Sequence, residues 1–588
     1  MPASPIRRLA LWACVAALLP LSAAAQEAAG AAPDARARPA ADPRNAGPYL
    51  AARIAGAEGD YAEAATWYNR ALLADPANPA LLEGAIVAQI GLGRLDEAAT
   101  VARQMLALGE PNQPAFLAVL AAQAKAGEWD AILADGAAGR SIANLLDGLV
   151  AAWAQVGAGR MAEALAAFDR LAATPGLGVF ASYHKALALA SVGDFEGADA
   201  ILAGPQGAQI ATLRRAVLAH AQILSQLERN ADAVALIDRL AVPGQDPGLD
   251  ALRARLDAGE TVAFDMARGA GDGVAEAFYT LANALVGETD DAYTLLFARA
   301  AAYLRPDHTE AVLLTAGLLG RLGQNALATE AYAAIPATDP SYPIAEMGRA
   351  EALYDAGSAE ASIEVLQALA RSHPQMIQVH RALGDALRRA ERFGDAVTAY
   401  DAAVALAAAL PDEAQDWGLY YARGIALERE DRWPEAEADF RRALALEPDQ
   451  PQVLNYLGYS MVEMGINLDE ALALIERAVR AEPDSGYIVD SFAWALFKLG
   501  RYDEAVAPME RASLLEPVDP VVTDHLGDVY WVVGRTREAE FQWQRALSYD
   551  PEPEEAARIR RKLEVGLDAV LAEEAASAPA PVEAADGN

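Results

Sequence analysis

The sequence predicts an all-α chain, a solenoid of stacked helix–turn–helix repeats, on three observations. Prolines recur at a fixed spacing: Pro306, Pro340 and Pro374 lie 34 residues apart, and Pro448, Pro483, Pro517 and Pro551 follow one another at 35, 34 and 34. The composition favours helix, with alanine prominent along the whole length, 53% hydrophobic residues and few β-branched runs. Small and large residues keep register with the prolines, as in Gly424, Ala436, Phe440 and Ala443 ahead of Pro448.

Taken in order, residues 1–25 read as a secretion signal. Arg7 and Arg8 form a charged start, Leu9 to Leu21 is apolar but too short to span a bilayer, and Ala23-Ala24-Ala25 offers a cleavage site before Gln26. Cys14, the single cysteine, lies inside the apolar stretch, which continues past it; it does not end a lipidation motif. Residues 26–44, rich in Ala, Pro, Asp and Arg, read as a flexible leader. No later segment has the length and apolarity of a membrane span, so the expected location is the periplasm, in solution.

Residues 45–308 open with one clear repeat, in which Gly59, Tyr61, Ala64, Tyr68, Ala71 and Pro76 hold the recurring slots. From about Pro111 to Asp307 the pattern degenerates. Turns such as Gly159-Arg160-Met161 and Gly193-Asp194-Phe195 survive, and Val242 to Asp272 fits no repeat. Residues 309–551 carry the well-formed repeats. Leu383, Gly384, Phe393, Ala396, Tyr400 and Ala403 mark one, Ala493, Gly500, Tyr502, Ala505 and Ala512 a second, and Leu526, Gly527, Tyr530, Gly534, Ala539 and Ala546 a third. Glycines such as Gly500 and Gly534 fall at the turn between two helices, where a positive φ is needed. Residues 552–574, with Arg558, Arg560, Arg561 and Lys562, read as a capping helix, and 575–588 as a flexible tail.

The register of small and large residues resembles the W-L-G-Y…A…F…A…P signature of the tetratricopeptide repeat, a period of about 34 residues. The block from Asn455-Tyr456-Leu457-Gly458-Tyr459 to Asp524-His525-Leu526-Gly527-Asp528 is similar to one in tetratricopeptide proteins of the Gram-negative envelope. The resemblance implies a right-handed superhelix. Its inner groove is lined by the first helix of each hairpin, and other proteins or peptides bind there. Carried onto the groove slots, it nominates Arg381 (with Asp385) and Arg388, then Asn455, Tyr456 and Tyr459, then Tyr487, Asp490, Trp494 and Lys498, then Asp524, His525, Asp528 and Trp531. Aromatic residues in such slots give rigid contact area suited to binding. The asparagine–lysine clamp by which some family members hold a terminal carboxylate is not reproduced; Asn455 and Lys498 alone match it.

The formal net charge of −36 repels phosphate backbones and excludes nucleic acid as a partner class. The six histidines, at 184, 220, 308, 373, 380 and 525, are scattered without an H-E-x-x-H pair, so neither metal nor cofactor is expected. No G-x-S-x-G, Walker loop or dinucleotide fingerprint occurs, and the repeats leave little chain for a catalytic domain. The expected function is therefore a non-catalytic, exported scaffold or adaptor in envelope assembly. A chaperone-like holder of clients and a regulatory subunit of a cell-wall enzyme are the alternatives.

Overall fold

Helix follows helix through the described chain, and the recurring small residues show why. In a computed structural model, residues 46–577 are described apart from 110, 206, 241–245 and 412–414. The expected signal, the leader and most of the tail lie outside the described residues. Thirty-two helices and no strand occur among those described. The chain divides into two compact units, the first ending at Ser372 and the second beginning at His373.

The first unit runs α1 (Ala46–Ala57), α2 (Tyr61–Leu72), α3 (Pro79–Gly91), α4 (Leu95–Ala107), α5 (Gln113–Ala126), α6 (Trp129–Ala137), α7 (Asn144–Gly157), α8 (Met161–Ala172), α9 (Gly178–Ser191), α10 (Phe195–Leu202), α11 (Gly207–Ile210), α12 (Arg214–Gln226), α13 (Asn230–Leu240), α14 (Pro247–Asp257), α15 (Ala270–Leu285), α16 (Asp291–Leu304), α17 (Thr309–Arg321), α18 (Asn325–Ala333), α19 (Tyr342–Asp355) and α20 (Ala359–Ser372). The second runs α21 (Ile377–Arg389), α22 (Phe393–Ala407), α23 (Trp417–Arg429), α24 (Trp433–Leu446), α25 (Pro451–Glu463), α26 (Leu468–Ala481), α27 (Gly486–Lys498), α28 (Tyr502–Leu515), α29 (Pro520–Val532), α30 (Thr536–Leu547), α31 (Pro553–Val565) and α32 (Leu567–Ser577).

Consecutive helices pair as antiparallel hairpins whose closest approach falls at the small residues. In α29 a Cβ added to Gly527 would lie 2.4 Å from the ring of Trp543 on α30, so only glycine admits the indole. Turns between paired helices use the left-handed conformation, with φ of 71° at Gly500 and 82° at Gly534. Helix starts are capped from the sequence, as where Asp519 accepts from the Val522 N–H at 2.9 Å ahead of Pro520.

The first unit departs from an open stack. From α3 to α9 its inner, first-helix face is filled by the chain itself: α15 packs on α7 and α9, and α16 packs on α3 and α5. Phe278 of α15 and Phe297 of α16 join Ile86, Leu149, Trp153 and Leu187 in one buried cluster. Gly273 of α15 lies so close to Trp153 that an added Cβ would be 2.1 Å from the indole. The inner face of α3, α5, α7 and α9 is therefore occupied by the chain's own helices. The reason lies in the stretch 242–272, which breaks the repeat. Beyond α14 the chain runs extended along α12, where Gln222 accepts from the Asp265 N–H and Ser225 from the Val262 N–H, and it delivers α15 to the inside.

Polar groups lock this insertion. Arg215 bonds Glu276 at 2.7 Å and Glu310 at 2.7 Å, and Tyr183 donates to Glu276 at 2.9 Å. Burial opposes the Glu276 charge, but Arg215 outweighs it and holds the carboxyl well below its ordinary range. His184 accepts from Trp153 at Nδ1 (3.0 Å) and lies 3.1 Å from the Thr280 hydroxyl at Nε2; burial pushes its pKa down to about 4, so the ring is neutral. Arg299 of α16 donates to the Gly91 carbonyl at the end of α3, a cation at a helix C-terminus.

Candidate functional site

In the second unit the first helices of successive hairpins leave space between them. A cavity of about 320 Å³ is lined by α25, α27, α29, α31 and α32. Tyr459 and Glu463 come from α25, one helical turn apart, and Trp494 and Lys498 repeat that spacing on α27. Asp524 and His525 come from α29, Glu555 and Arg558 from α31, and Glu574 from α32.

The aromatic wall is a three-ring stack. The Trp494 indole lies parallel to Phe497 (4.7 Å, 4°) and to the His525 imidazole (3.9 Å, 10°). Its N–H donates to Glu463 at 2.6 Å, and the Lys498 ammonium sits 5.3 Å over its ring and 3.6 Å from Glu463. Tyr459 also bonds Glu463; burial and then that carboxylate raise its phenol above the ordinary range. His525 Nδ1 faces both oxygens of Asp490, at 3.0 and 3.1 Å. Burial opposes the imidazolium, yet Asp490 first, and then Asp524 and Asp528, raise the His525 pKa.

Behind the wall lies a buried ion cluster. Lys562, 1% exposed, reaches back from α31 to Asp524 Oδ2 at 2.7 Å and to both oxygens of Asp528 at 2.6 and 2.7 Å. Asp528 also accepts from the Trp543 N–H at 2.9 Å. Burial, then repulsion by Asp528, pushes the Asp524 carboxyl up to about 6 against the pull of Lys562. Arg558 stands 3.5 Å from Asp524 and from Asp528, and bonds Glu574 at 2.7 Å.

Of the nominated groove residues, Tyr459, Trp494, Lys498, Asp524 and His525 come together on this one lining. Asp490 and Asp528 sit beneath it, serving His525 and Lys562 in place of a groove surface. Trp531 lies away from the lining, packed on Trp543 and donating to Asp568 of α32. Tyr487 is exposed at the start of α27, and Asn455 keeps a buried Oδ1 without a partner; neither lines the cavity. Arg381 pairs with Asp385 and Asp416, and Arg388 bonds the Tyr400 hydroxyl, both further back in the chain. The groove register does not nominate Glu463, Glu555, Arg558 or Glu574. Glu463 is within its reach, being four residues after Tyr459. The other three follow from a difference in the cap: where the sequence suggests one helix over 552–574, the structure has two, broken at Gly566 (φ 83°), where an added Cβ would lie 2.5 Å from the Trp531 ring.

Among the described residues, no three His, Cys, Asp or Glu side chains are grouped to hold a metal ion, and no helix is long and apolar enough to cross a membrane.

A tetratricopeptide-repeat family model matches residues 417–450, and a second matches 49–112, 318–377, 347–414 and 465–514. The unmatched middle contains the inserted α15 and most of the residues that lock it. No curated protein sequence matches the chain. Similar solved structures include the Cut9–Hcn1 hetero-tetramer of the APC/C, at 14% identity over 90% of this chain and 97% of that one with a TM-score of 0.37. A tetratricopeptide repeat protein from Parabacteroides merdae ATCC 43184 is 15% identical over 44% of this chain and 98% of its own (TM-score 0.36). YrrB, titled a TPR protein with an unusual peptide-binding site, is 18% identical over 34% and 99% (TM-score 0.27).

Proposed function

This chain is a tetratricopeptide-repeat protein, a class of protein–protein interaction scaffold, and from that premise we propose that its second unit is the partner-gripping part of an exported, non-catalytic adaptor. One observation carries the reading: the inner faces of α25, α27 and α29 border a cavity, whereas the corresponding faces of α7 and α9 in the first unit are packed by α15. The partner is a protein or peptide segment laid along Tyr459, Trp494, Lys498 and His525. The mixture of aromatic and charged groups on the lining favours an adaptor with discrete contacts over a holder of unfolded clients, which calls for a continuous apolar face. The periplasm is the proposed location, and envelope assembly the proposed setting; the motif at residues 7–25 supports both.

Site-specific photo-crosslinking tests the assignment. A crosslinker at Tyr459 is expected to give partner adducts in cells, and one at Phe541, exposed on the outer helix α30, is expected to give none. Adducts at 541 and none at 459 would place the binding face elsewhere. Fractionation of the same cells tests export, with the chain expected in the periplasmic fraction.

A further inference from the structure

Donors and acceptors in the cavity are unevenly matched. Its fixed donors have partners: the Tyr459 hydroxyl, the Trp494 N–H and the Lys498 ammonium all converge on Glu463, and Arg558 pairs with Glu574. Its unmatched atoms are acceptors. Asp524, 8% exposed, spends Oδ2 on Lys562 and leaves Oδ1 buried without a partner. Glu555 lines the cavity with no ion pair or hydrogen bond among the described residues. Four carboxylates on the lining face two fixed cations, Lys498 and Arg558, in a chain of net charge −36.

Resting on the binding-face reading above, we propose that this cavity takes a cationic side chain, the ammonium or guanidinium of a basic segment in the partner. The cation supplies donors to Asp524 and Glu555, and its alkyl stem lies along Tyr459 and Trp494. An unpartnered buried acceptor is unfavourable until a donor reaches it, so the empty state is primed for such a group. Charge complementarity also speeds encounter with a basic partner and makes it salt-sensitive.

Calorimetric titration of the whole chain tests this with three probes: an end-capped hexapeptide alternating lysine and glycine, its glutamate counterpart, and cadaverine. The lysine peptide is expected to bind and the glutamate peptide not. Glu555→Gln, a change at a partly exposed position, is expected to weaken lysine-peptide binding by roughly three- to tenfold, the difference between a charge-assisted and a neutral hydrogen bond. Asp524→Asn is expected to weaken it further, and Asp130→Asn in the first unit to leave it unchanged. Cadaverine binding with the same Glu555 dependence but without peptide binding would support the ammonium chemistry with a free polyamine as its source. Equal affinity for the glutamate peptide, or no effect of Glu555→Gln, would overturn the proposal. Crosslinks at Tyr459 obtained alongside such a failure would leave the binding face in place with a different ligand chemistry.

Discussion

The two units solve the same packing problem in opposite ways. A row of first helices presents an inner face that must be covered or left for something else to cover. In the first unit α15 and α16 cover it along α3, α5, α7 and α9, and their polar groups are matched, Glu276 by Arg215, Thr280 by His184 and Arg299 by the Gly91 carbonyl. In the second the face is walled at one end by α31 and α32 and retains a cavity with unmatched acceptors. The difference teaches that repeat degeneracy here is not decay. The irregular stretch provides the helix that seals one face, and the regular stretch keeps the other available.

Removing a buried cation separates the units most strongly. Arg215→Met strands Glu276, and Lys562→Met strands Asp524 and Asp528; each is expected to cost about 3–5 kcal/mol. The locations differ. By hydrogen exchange, the first should deprotect α15 and α16, and the second should deprotect α31 and α32 while sparing residues 46–372. Deprotection spreading into the other unit in either variant would break the contrast.

Overpacking comes next. Gly273→Ala drives a Cβ into Trp153, and Ala505→Leu enlarges a fully buried slot in the hairpin α27–α28. Each is expected to lose about 1–3 kcal/mol, read as a lowered melting transition. An unchanged transition for Gly273→Ala would mean that α15 is not seated against α7.

Acidification sharpens the comparison by moving the units in opposite directions. His184 has a folded pKa of about 4 against an ordinary 6.5, so its stabilisation is present above 6.5 and is lost as pH falls toward 4. His308 acts in the same sense, lowered by burial and then by Arg215. His525 and Asp524 are shifted upward, so their stabilisation is present at low pH and is lost as pH rises through the raised values. From about pH 7.5 to about pH 5.5 the first unit should weaken by about 1 kcal/mol from His184 alone, while α29 and α31 become more protected. Exchange of peptides from α9 and α29 reads both; parallel change would contradict the assignment. The smallest effect is Tyr487→Ala, exposed at the start of α27, which should alter stability by less than about 0.5 kcal/mol in a denaturant titration.

The hairpins are legible in the sequence because proline spacing and small-to-large alternation report local geometry. Gly527 against Trp543 is the register turned into contact. The fold-back is less legible, since a period describes neighbours and not returns over 179 residues or more, such as Lys125 to the Leu304 carbonyl or Arg299 to Gly91. A trace is present: α15 carries Asp272 and Glu276 as its only charges, as suits a helix buried nearly all round. Part of the site is legible too. Tyr459, Trp494 and Lys498 share a groove register, but nothing in the sequence says that Lys562 turns inward to occupy Asp524 and Asp528, because burial of a lysine is decided by the partners it meets.

The filled and open faces can be compared in one measurement. With Cys14 replaced by serine, single cysteines at Ala277 of α15 and at Glu555 on the cavity are labelled by a small thiol reagent under native conditions. Position 555 should react near the rate of a free thiol, and position 277 only through opening of the first unit, slower by several orders of magnitude. Comparable rates at the two positions would contradict the division into a sealed face and an available one.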